Sequence, residues 1–421
     1  MDINEAMRYI HSVSWLGSVP GLERIGELLR RIGDPQDKVK CVHIAGTNGK
    51  GSTAAMLANI LKNAGYDTGL CTSPYIFRFN ERMQVNGREI DDGELCDIVE
   101  FIRPHAETME QHPTEFELVC AITFEYFARR KCDIAVVETG MGGRLDATNV
   151  IKSPLCSVIT NIGLDHTAVL GSTVEAIAAE KAGIIKPGCP AVLYSQGESV
   201  MDVIRSRCEQ LGCPLTVTDP GRLEVLPGGI GRLEFVYRGE RYATPLLGEH
   251  QAKNAAAVLE TVSVLRGEGY DIPDSAVRAG LETVKWPARF EIISEKPWFV
   301  VDGGHNPQCA ETVAANIRRY FPDIHTVLLT GVLADKDYGS LADILAPAAD
   351  EFVTVAPNSP RALSAGDYAE FLEKYGKPVT ACGSIAAGVA EARRRAGDGG
   401  LVVAVGSLYM AGPIRDCFGL E

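Results

Sequence analysis

Short apolar runs alternate with amphipathic helical stretches along most of this chain, and most of these runs end in glycine or polar turns. The first run, KCVHIAG at residues 40–46, is followed by the helical pattern STAAMLANILKNAG. Strands that are separated by helices and are this apolar are typical of parallel sheets covered on both faces. The pattern therefore predicts an α/β fold with mostly parallel sheets.

The turn after the first run, GTNGKGST at residues 46–53, predicts a phosphate-binding loop, although it lacks the usual G-x-x-x-x-G-K-[ST] spacing. Ile44 stands where that pattern has its first glycine, and Gly51 separates Lys50 from Ser52. Helix-start amides would nevertheless face an anion there, Lys50 could neutralise phosphates, and either Ser52 or Thr53 could offer a hydroxyl to Mg²⁺. A turn that only needs positive φ angles is the structural alternative.

The chain of 421 residues is long for a single core. Between about residues 215 and 247 a period-two pattern with Gly and Pro indicates a small antiparallel insertion. Pro287 interrupts the helical pattern, and the strand–helix alternation restarts at Trp298. We predict a P-loop-type ATP-binding domain with a mostly parallel sheet over 1–285, a linker or domain edge over 286–297, and a smaller Rossmann-like α/β domain over 298–421.

Charge and cysteine usage narrow the function classes. Acidic residues outnumber basic ones 55 to 41, and no Lys/Arg-rich run could neutralise a row of phosphates, so we expect no nucleic-acid partner. The twelve cysteines are scattered without zinc-site spacing and are expected to be free thiols in a reducing cytoplasm. The N-terminus lacks a signal-peptide pattern and no apolar stretch has the length of a membrane span, so we expect a cytoplasmic protein without a membrane partner.

Polar residues also follow the next strands of the predicted sheet. Ser73 closes the second strand, Glu138 ends a buried one, and Asp165 and His166 follow another. Ligands gather at the carboxyl ends of parallel strands, where a carboxylate suits Mg²⁺. An ordinary turn for Ser73 and a structural histidine for His166 are the alternatives.

Four further residues are candidates. Lys181 lies on a helix with one apolar face, where it is either buried with a partner or modification, or solvated. Asp302 and His305 follow a strand of the second domain, and Arg289 could hold a phosphate or form a surface ion pair. We expect these segments and Lys50 to line one cleft that holds MgATP between the domains.

Seven motifs occur in chain order: GTNGKGS, TSPYIFRFNERM, ETGMGGRLDATN, LDH, EKAGIIKPG, WPARFE and DGGHNP. Together they resemble folylpolyglutamate synthase and dihydrofolate synthase, members of the Mur ligase superfamily, which use ATP to join an amino acid to a carboxylate. GTNGK fits any Mur-type ligase, whereas TSPYIFRFNERM and DGGHNP point to the folate branch. The likeness covers nearly the whole chain and implies a C-terminal glutamate-ligase domain.

The resemblance implies roles for the nucleotide-site residues. The triphosphate would be held by Thr47, Asn48, Gly49, Lys50, Gly51 and Ser52. Positions that contact the nucleotide, or in the last case lie near its phosphates, are matched by Asn254, Arg289, Asp302 and His305. The catalytic set would be Lys50, His166, Lys181, Arg289 and His305.

The resemblance also implies Mg²⁺ at two sites and allows a monovalent cation. The metal-ligand positions are matched by Ser52, Ser73, Glu138 and His166. Lys181 falls on the lysine that the superfamily often carries as a carbamate, which would turn a cation into an anion directed at the metal.

For the pterin-bearing substrate, the resemblance implies a pocket, and SPYIFRFNER matches a mobile loop over it. Its residues would be Phe116, Glu117, Leu145, Asp146, Ala147, Tyr75 and Arg82. Tyr75 stands where many relatives have His or Phe, and Gly304 stands where alanine is common. The partners would be L-glutamate and either a reduced folate or dihydropteroate, and we expect a monomer.

Two other functions fit parts of the pattern. A muramyl-type ligase shares the chemistry but normally carries an extra N-terminal domain, for which the 45 residues before Gly46 are too few. A P-loop switch or transport ATPase would need the standard loop spacing. Because a carboxylate and an amine do not condense in water without activation, the favoured chemistry is an acyl phosphate that the glutamate amine attacks.

Overall fold

The computed structural model describes residues 1–14, 17 and 19–420. Contacts divide the chain into two compact units. The first consists of Met1–Glu224, Phe235–Ala243 and Gln251–Val284, and the second of Val225–Glu234, Thr244–His250 and Lys285–Glu421. Among the helices described, none combines the length and the apolar character that crossing a membrane requires.

An eight-stranded sheet forms the centre of the first unit. Its strands are β1 Lys40–Ala45, β2 Thr68–Cys71, β3 Met83–Val85, β4 Arg88–Glu89, β5 Ile134–Glu138, β6 Cys156–Ile159, β7 Ala191–Leu193 and β8 Leu215–Val217. The order is β4-β3-β2-β5-β1-β6-β7-β8, and all pairs are parallel except β2–β3 and β3–β4. Every residue of β5 is buried, as its continuous apolar run predicts.

Helices connect and cover these strands. They are α1 Ile3–His11, α2 Glu23–Arg31, α3 Lys50–Asn63, α4 Asp92–Glu107, α5 Glu115–Arg129, α6 Thr167–Leu170, α7 Val174–Ala182, α8 Glu198–Leu211, α9 Glu249–Gly267 and α10 Asp274–Glu282. Several begin at a side-chain cap, as at α4, where Asp91 accepts a hydrogen bond from the Glu94 amide at 2.8 Å. The start of α3 has no such cap, which matters for the site below.

A separate three-stranded sheet lies where the insertion is predicted, but it begins later than expected. It consists of β9 Leu223–Val225, β10 Leu233–Tyr237 and β11 Glu240–Thr244, in the order β11-β10-β9. Residues 215–217 instead form β8, which pairs in parallel with β7 at the edge of the large sheet. Starting the insertion at residue 215 was wrong, because an edge strand of a parallel sheet can show the same period-two alternation in its sequence as a strand of an antiparallel one.

The second unit, over its described residues, has a six-stranded sheet and five α-helices. The strands are β12 Glu291–Glu295, β13 Trp298–Val301, β14 Thr326–Thr330, β15 Glu351–Thr354, β16 Val379–Ala381 and β17 Leu401–Val405, in the order β12-β13-β17-β14-β15-β16. The helices are α11 Pro307–Tyr320, α12 Tyr338–Leu345, α13 Ala365–Leu372, α14 Ile385–Ala396 and α15 Ala411–Asp416. Only β12 is antiparallel to its neighbour. The segment 286–297, predicted as a linker or domain edge, contains β12. The α/β class, with a mostly parallel sheet in each unit and a small antiparallel sheet, is confirmed.

Candidate functional site

The glycine loop between β1 and α3 leaves the start of α3 without a side-chain cap. Gly49 occupies the N-cap position with φ 86°, in the left-handed region that favours glycine. A Cβ on Gly49 would lie 2.5 Å from Oδ1 of Asn254, so a larger residue would displace this buried amide. Because the first helical amides have no side-chain acceptor and lie at the positive end of the helix dipole, the loop is suited to bind an anion.

Hydrogen bonds fix the backbone of this loop to the segment that follows β6. The amides of Thr47 and Asn48 both donate to the Asn161 carbonyl, at 2.7 and 3.2 Å. The Thr47 hydroxyl donates to the Gly163 carbonyl at 3.0 Å, and the Thr160 hydroxyl donates to the Asn48 carbonyl at 2.9 Å. The loop conformation is therefore set by the protein before any ligand binds.

Lys50 folds back over the loop toward a buried carboxylate. Its Nζ donates to the carbonyls of Gly46 and Thr47, at 3.0 and 3.2 Å, and lies 4.0 Å from Oε1 of Glu138. The other carboxylate oxygen of Glu138 accepts a hydrogen bond from the Ser73 amide at 3.2 Å. The structure thus brings together the predicted residues from the ends of three neighbouring strands, with a cation and a carboxylate beside the loop.

The oxygen donors at this point fit Mg²⁺. Ser52 is buried, and its hydroxyl accepts a hydrogen bond from Nε2 of Gln251 at 3.3 Å. Together with Glu138 it supplies the hard oxygen ligands that Mg²⁺ prefers, alongside water and substrate phosphates. Over residues 1–14, 17 and 19–420, no three His, Cys, Asp or Glu side chains form a metal cluster of their own. Ser52 and Glu138 would leave further coordination positions of Mg²⁺ to water and phosphate oxygens.

His166 lies at the N-terminus of the short helix α6. Its backbone is left-handed, with φ 50°, an uncommon conformation for a residue other than glycine. The side chain is exposed, and its Nε2 lies 3.9 Å from Oδ1 of Asp165. Its role as a metal ligand stays a prediction.

Lys181 is buried and contacts the glycine loop. Its Nζ donates to the Gly46 carbonyl at 2.8 Å. Burial, and then the charge of Lys50, lower the pKa of Lys181 to about 7, although Asp165 and Asp146 act in the opposite direction. The solvated alternative for this residue is wrong, and a substantial fraction of the amine is neutral near pH 7.

The loop after β5 carries residues of the predicted substrate pocket. The Phe116 ring lies directly over Gly140, where a Cβ would come within 2.5 Å of the ring. Asp146 is buried and accepts hydrogen bonds from the Met141 amide at 2.8 Å and from the Thr148 hydroxyl at 2.6 Å. Burial raises the pKa of Asp146, while these hydrogen bonds lower it. Beside it, Leu145 is exposed and Ala147 is buried.

Glu117 caps the start of α5, a structural role that the resemblance does not imply. Its Oε2 accepts hydrogen bonds from the Thr114 amide at 2.7 Å and from Nε of Arg24 at 3.1 Å. The Thr114 hydroxyl in return accepts from the Glu117 amide, so the two residues form a capping box at the start of α5. Contact of Glu117 with a substrate stays a prediction.

Two residues that support the site were missed by sequence reasoning. Gln251 holds the Ser52 hydroxyl, and its own Oε1 accepts from Nδ2 of Asn254 at 3.1 Å. His43, inside β1, has its Nε2 2.8 Å from the Thr148 hydroxyl, and burial followed by Lys186 lowers its pKa to about 3. His43 could have been identified from the sequence, because it is a histidine within an apolar strand. Gln251 could not, because its role depends on contacts between distant segments.

In the second unit, the loop after β13 is organised around Asp302. Its carboxylate accepts hydrogen bonds from the Gly304 amide at 2.7 Å and the Phe290 amide at 2.8 Å. Burial raises the pKa of Asp302, and the charge of Arg289 lowers it. Ala288 and Phe290, on either side of Arg289, are both left-handed, with φ 54° and 48°. The carboxylate therefore holds a strained turn that presents Arg289.

His305 lies in the same loop, two residues before α11 begins. Its Nδ1 is 3.1 Å from the Gly303 carbonyl, to which it donates when protonated there. The structure thus places Asp302, Arg289 and His305 together within the second unit. Their contacts with a nucleotide stay predictions.

The comparisons with known proteins agree in both units. Residues 44–210 match the Mur ligase middle domain, and residues 288–408 match the Mur ligase, glutamate ligase domain. The chain is 37% identical to the dihydrofolate synthase/folylpolyglutamate synthase of Bacillus subtilis, over 98% of each chain. It superposes on Mycobacterium tuberculosis folylpolyglutamate synthase complexed with ADP and AMPPCP with a TM-score of 0.91, at 32% identity and over 100% of both chains. For E. coli FolC in complex with DHPP and ADP, the TM-score is 0.87 at 27% identity, over 100% of this chain and 98% of that one.

Proposed function

The chain belongs to the folylpolyglutamate synthase and dihydrofolate synthase family of Mur ligases, and from this we propose that it joins L-glutamate to the carboxylate of a folate. It is an ATP-dependent ligase, and the reaction converts ATP to ADP and phosphate. Dihydropteroate is proposed as a second acceptor, because the Bacillus subtilis relative is named for both activities.

The observation that carries this proposal is the uncapped start of α3 beside Lys50 and Glu138. The α3 amides and Lys50 supply the positive charge that a triphosphate requires within a protein whose net charge is −14. We propose that Ser52, Ser73 and Glu138 hold Mg²⁺ there together with the phosphates. When bound, Mg²⁺ would neutralise charge on the transferring phosphoryl group.

In the proposed reaction, the folate carboxylate attacks the γ-phosphorus of ATP, and ADP leaves. Lys50 and the loop amides hold the phosphoryl group in line and offset its negative charge. The amine of L-glutamate then attacks the acyl carbon, the amide bond forms, and phosphate departs. The attacking amine loses a proton during this step, so it must enter neutral or be deprotonated in the site.

Lys181 fits the carbamate proposed for it. Carbamates form by attack of a neutral amine on CO₂, and the pKa of Lys181 is lowered to about 7 mainly by burial. The amine already lies 2.8 Å from the loop carbonyl of Gly46, so a carbamate would place its charge beside the phosphate loop. Predicted roles also remain for Arg289, Asp302, His305 and Asn254 toward the nucleotide.

The test is phosphate release from ATP with Mg²⁺ and tetrahydrofolate, with and without L-glutamate. We expect release to require L-glutamate and to match the amount of longer-chain folate detected by mass spectrometry. Turnover that does not depend on glutamate would exclude ligation. The same assay with dihydropteroate decides whether the chain also makes dihydrofolate.

A further inference from the structure

Arg82 contacts two aromatic rings in the loop that joins β2 to β3. Its guanidinium carbon lies 5.2 Å from the ring centroid of Tyr75 and 5.7 Å from that of Phe79. The two rings contact each other edge to face, with centroids 6.2 Å apart. Cation–π contacts on two rings restrict the guanidinium plane, so its edge is fixed in direction.

This arginine has no anionic partner within the part of the chain that the structure describes. Apart from the two rings, no described side chain forms a salt bridge or hydrogen bond with its guanidinium, and its Nε is buried without a hydrogen bond. Arg78, four residues earlier in the same loop, is exposed and lies 3.3 Å from Asp92 and 3.6 Å from Glu89. A buried donor without a partner typically costs about 1–3 kcal/mol, and more when it is charged, so an arginine in this state is suited to bind an anion.

Arg82 lies at the same sheet edge as the phosphate loop. Its carbonyl accepts a hydrogen bond from the Thr72 amide at 3.0 Å, directly before Ser73. Arg82, Glu138 and Asp146 all lie close enough to the buried Cys71 thiol, at the end of β2, for their charges to act on it.

We propose that Arg82 binds the non-reacting α-carboxylate of the terminal glutamate of a folate acceptor. This inference rests on the proposed function, in which one carboxylate of the folate attacks ATP, and it takes the γ-carboxylate of the terminal glutamate as the one that reacts. A two-pronged arginine contact would occupy the lone pairs of the reacting carboxylate, whereas it holds a spectator carboxylate without cost to the chemistry. Dihydropteroate has one carboxylate, which reacts, so Arg82 distinguishes the two kinds of acceptor.

The test compares acceptors with and without that carboxylate. In Arg82→Gln, we expect kcat/KM for tetrahydrofolate to fall about 10- to 100-fold, the range for a hydrogen-bonded charged pair. The values for dihydropteroate and for the α-carboxamide of tetrahydrofolate should stay within about twofold of the wild type. Arg82→Lys should recover part of the lost kcat/KM for tetrahydrofolate, since lysine keeps the positive charge but not the two parallel N–H donors of the guanidinium. Arg129→Gln is the matched control, because this arginine also lies over an aromatic ring, that of Phe101 at 5.1 Å, but outside the pocket loop, and the variant should leave the values for all three acceptors unchanged.

Three results overturn the inference. An equal loss on tetrahydrofolate and on its α-carboxamide would mean that Arg82 acts on something other than the α-carboxylate. No loss on tetrahydrofolate would mean that it binds no carboxylate there. A lower thermal unfolding midpoint in both Arg82→Gln and Arg82→Lys would assign it a structural role. Failure of the proposed function looks different, because wild-type protein would then release phosphate without using either acceptor.

Discussion

Two loops of this chain each join a strand to a helix, but only one of the two helices begins with a side-chain cap. Each follows a parallel strand and begins a helix of 14 residues, the glycine loop before α3 and the Asp302 loop before α11. At the first, Gly49 leaves the start of the helix without a side-chain cap. At the second, the side chain of Asn306 accepts a hydrogen bond from the Cys309 amide at 3.0 Å. The first amides of α3 are therefore available to a ligand, whereas an amide at the start of α11 is already bound by the side chain of Asn306.

The charged side chains around the two loops also differ, with two lysines at the first loop and a buried carboxylate at the second. Lys50 and the buried Lys181 both donate to the carbonyl of Gly46 in the first loop. In the second, the Asp302 carboxylate is occupied by two amides of its own unit. Position at a strand end therefore predicts a ligand site only where the helix start is also open. We infer that the first loop holds the phosphates, while the second positions side chains such as Arg289.

The largest expected effect tests the first loop. Lys50→Met should lower kcat about 10²- to 10³-fold, since removing one donor that stabilises transition-state charge typically has that effect. The measurement is phosphate release at saturating ATP and folate. Lys62→Met, an exposed lysine on the same helix, is the control and should behave as wild type. An unchanged kcat in Lys50→Met would remove the basis for assigning the phosphates to this loop.

Lys181 sharpens the comparison through pH. Its pKa is about 7 in the folded protein and about 10.4 in the unfolded chain, so between these values the unfolded chain binds one more proton. Wild-type stability should therefore rise with pH relative to Lys181→Met, by about 1.4 kcal/mol per pH unit from pH 7 to 9. Denaturant unfolding of both proteins at pH 7, 8 and 9 measures this. A difference that does not change with pH would indicate that the amine is no longer titratable, as in a carbamate.

The glycine loop was predictable because its signals are local. Strand, glycines, lysine and helix occur within about twenty residues, and each supports the same interpretation. The capping box of Thr114 and Glu117 was also readable, as Thr-x-x-Glu before an apolar run, although the resemblance implied only a pocket role. The wrong start of the insertion at residue 215 shows the limit of periodicity, which does not identify the partner of an edge strand.

What the sequence could not supply were contacts between distant segments. Gln251 supports Ser52 from 199 residues away, and Arg24 pairs with Glu117 across 93 residues. Neither has a motif, because either contact needs only a side chain of suitable length at the place where two elements pack. That Arg82 forms no ion pair with a described residue is likewise a property of packing, since Arg78, in the same loop, does form ion pairs.

A smaller effect tests the closed helix start. Asn306→Ala removes the cap of α11 and should lower the free energy of unfolding by about 1 kcal/mol. Denaturant unfolding measures this loss, and calorimetric titration with MgADP measures nucleotide affinity. Asn306→Asp keeps an acceptor at the same position and should restore most of the stability. A variant with wild-type stability but weakened MgADP binding would show that the second helix start also serves the nucleotide.

The smallest expected effect concerns the strained turn beside Asp302. Ala288 is fully buried with φ 54°, a conformation that costs an L-residue about 1–2 kcal/mol and glycine little. In Ala288→Gly the relief of strain should offset the loss of one buried methyl, about 0.8 kcal/mol, so the free energy of unfolding should change by less than about 0.5 kcal/mol. Ala310→Gly, at a buried helical position of α11, lacks that relief and should lose about 1 kcal/mol or more. If denaturant unfolding shows the same loss of unfolding free energy in both variants, the turn at Ala288 is not strained. The role given to Asp302, holding a strained turn that positions Arg289, would then be wrong.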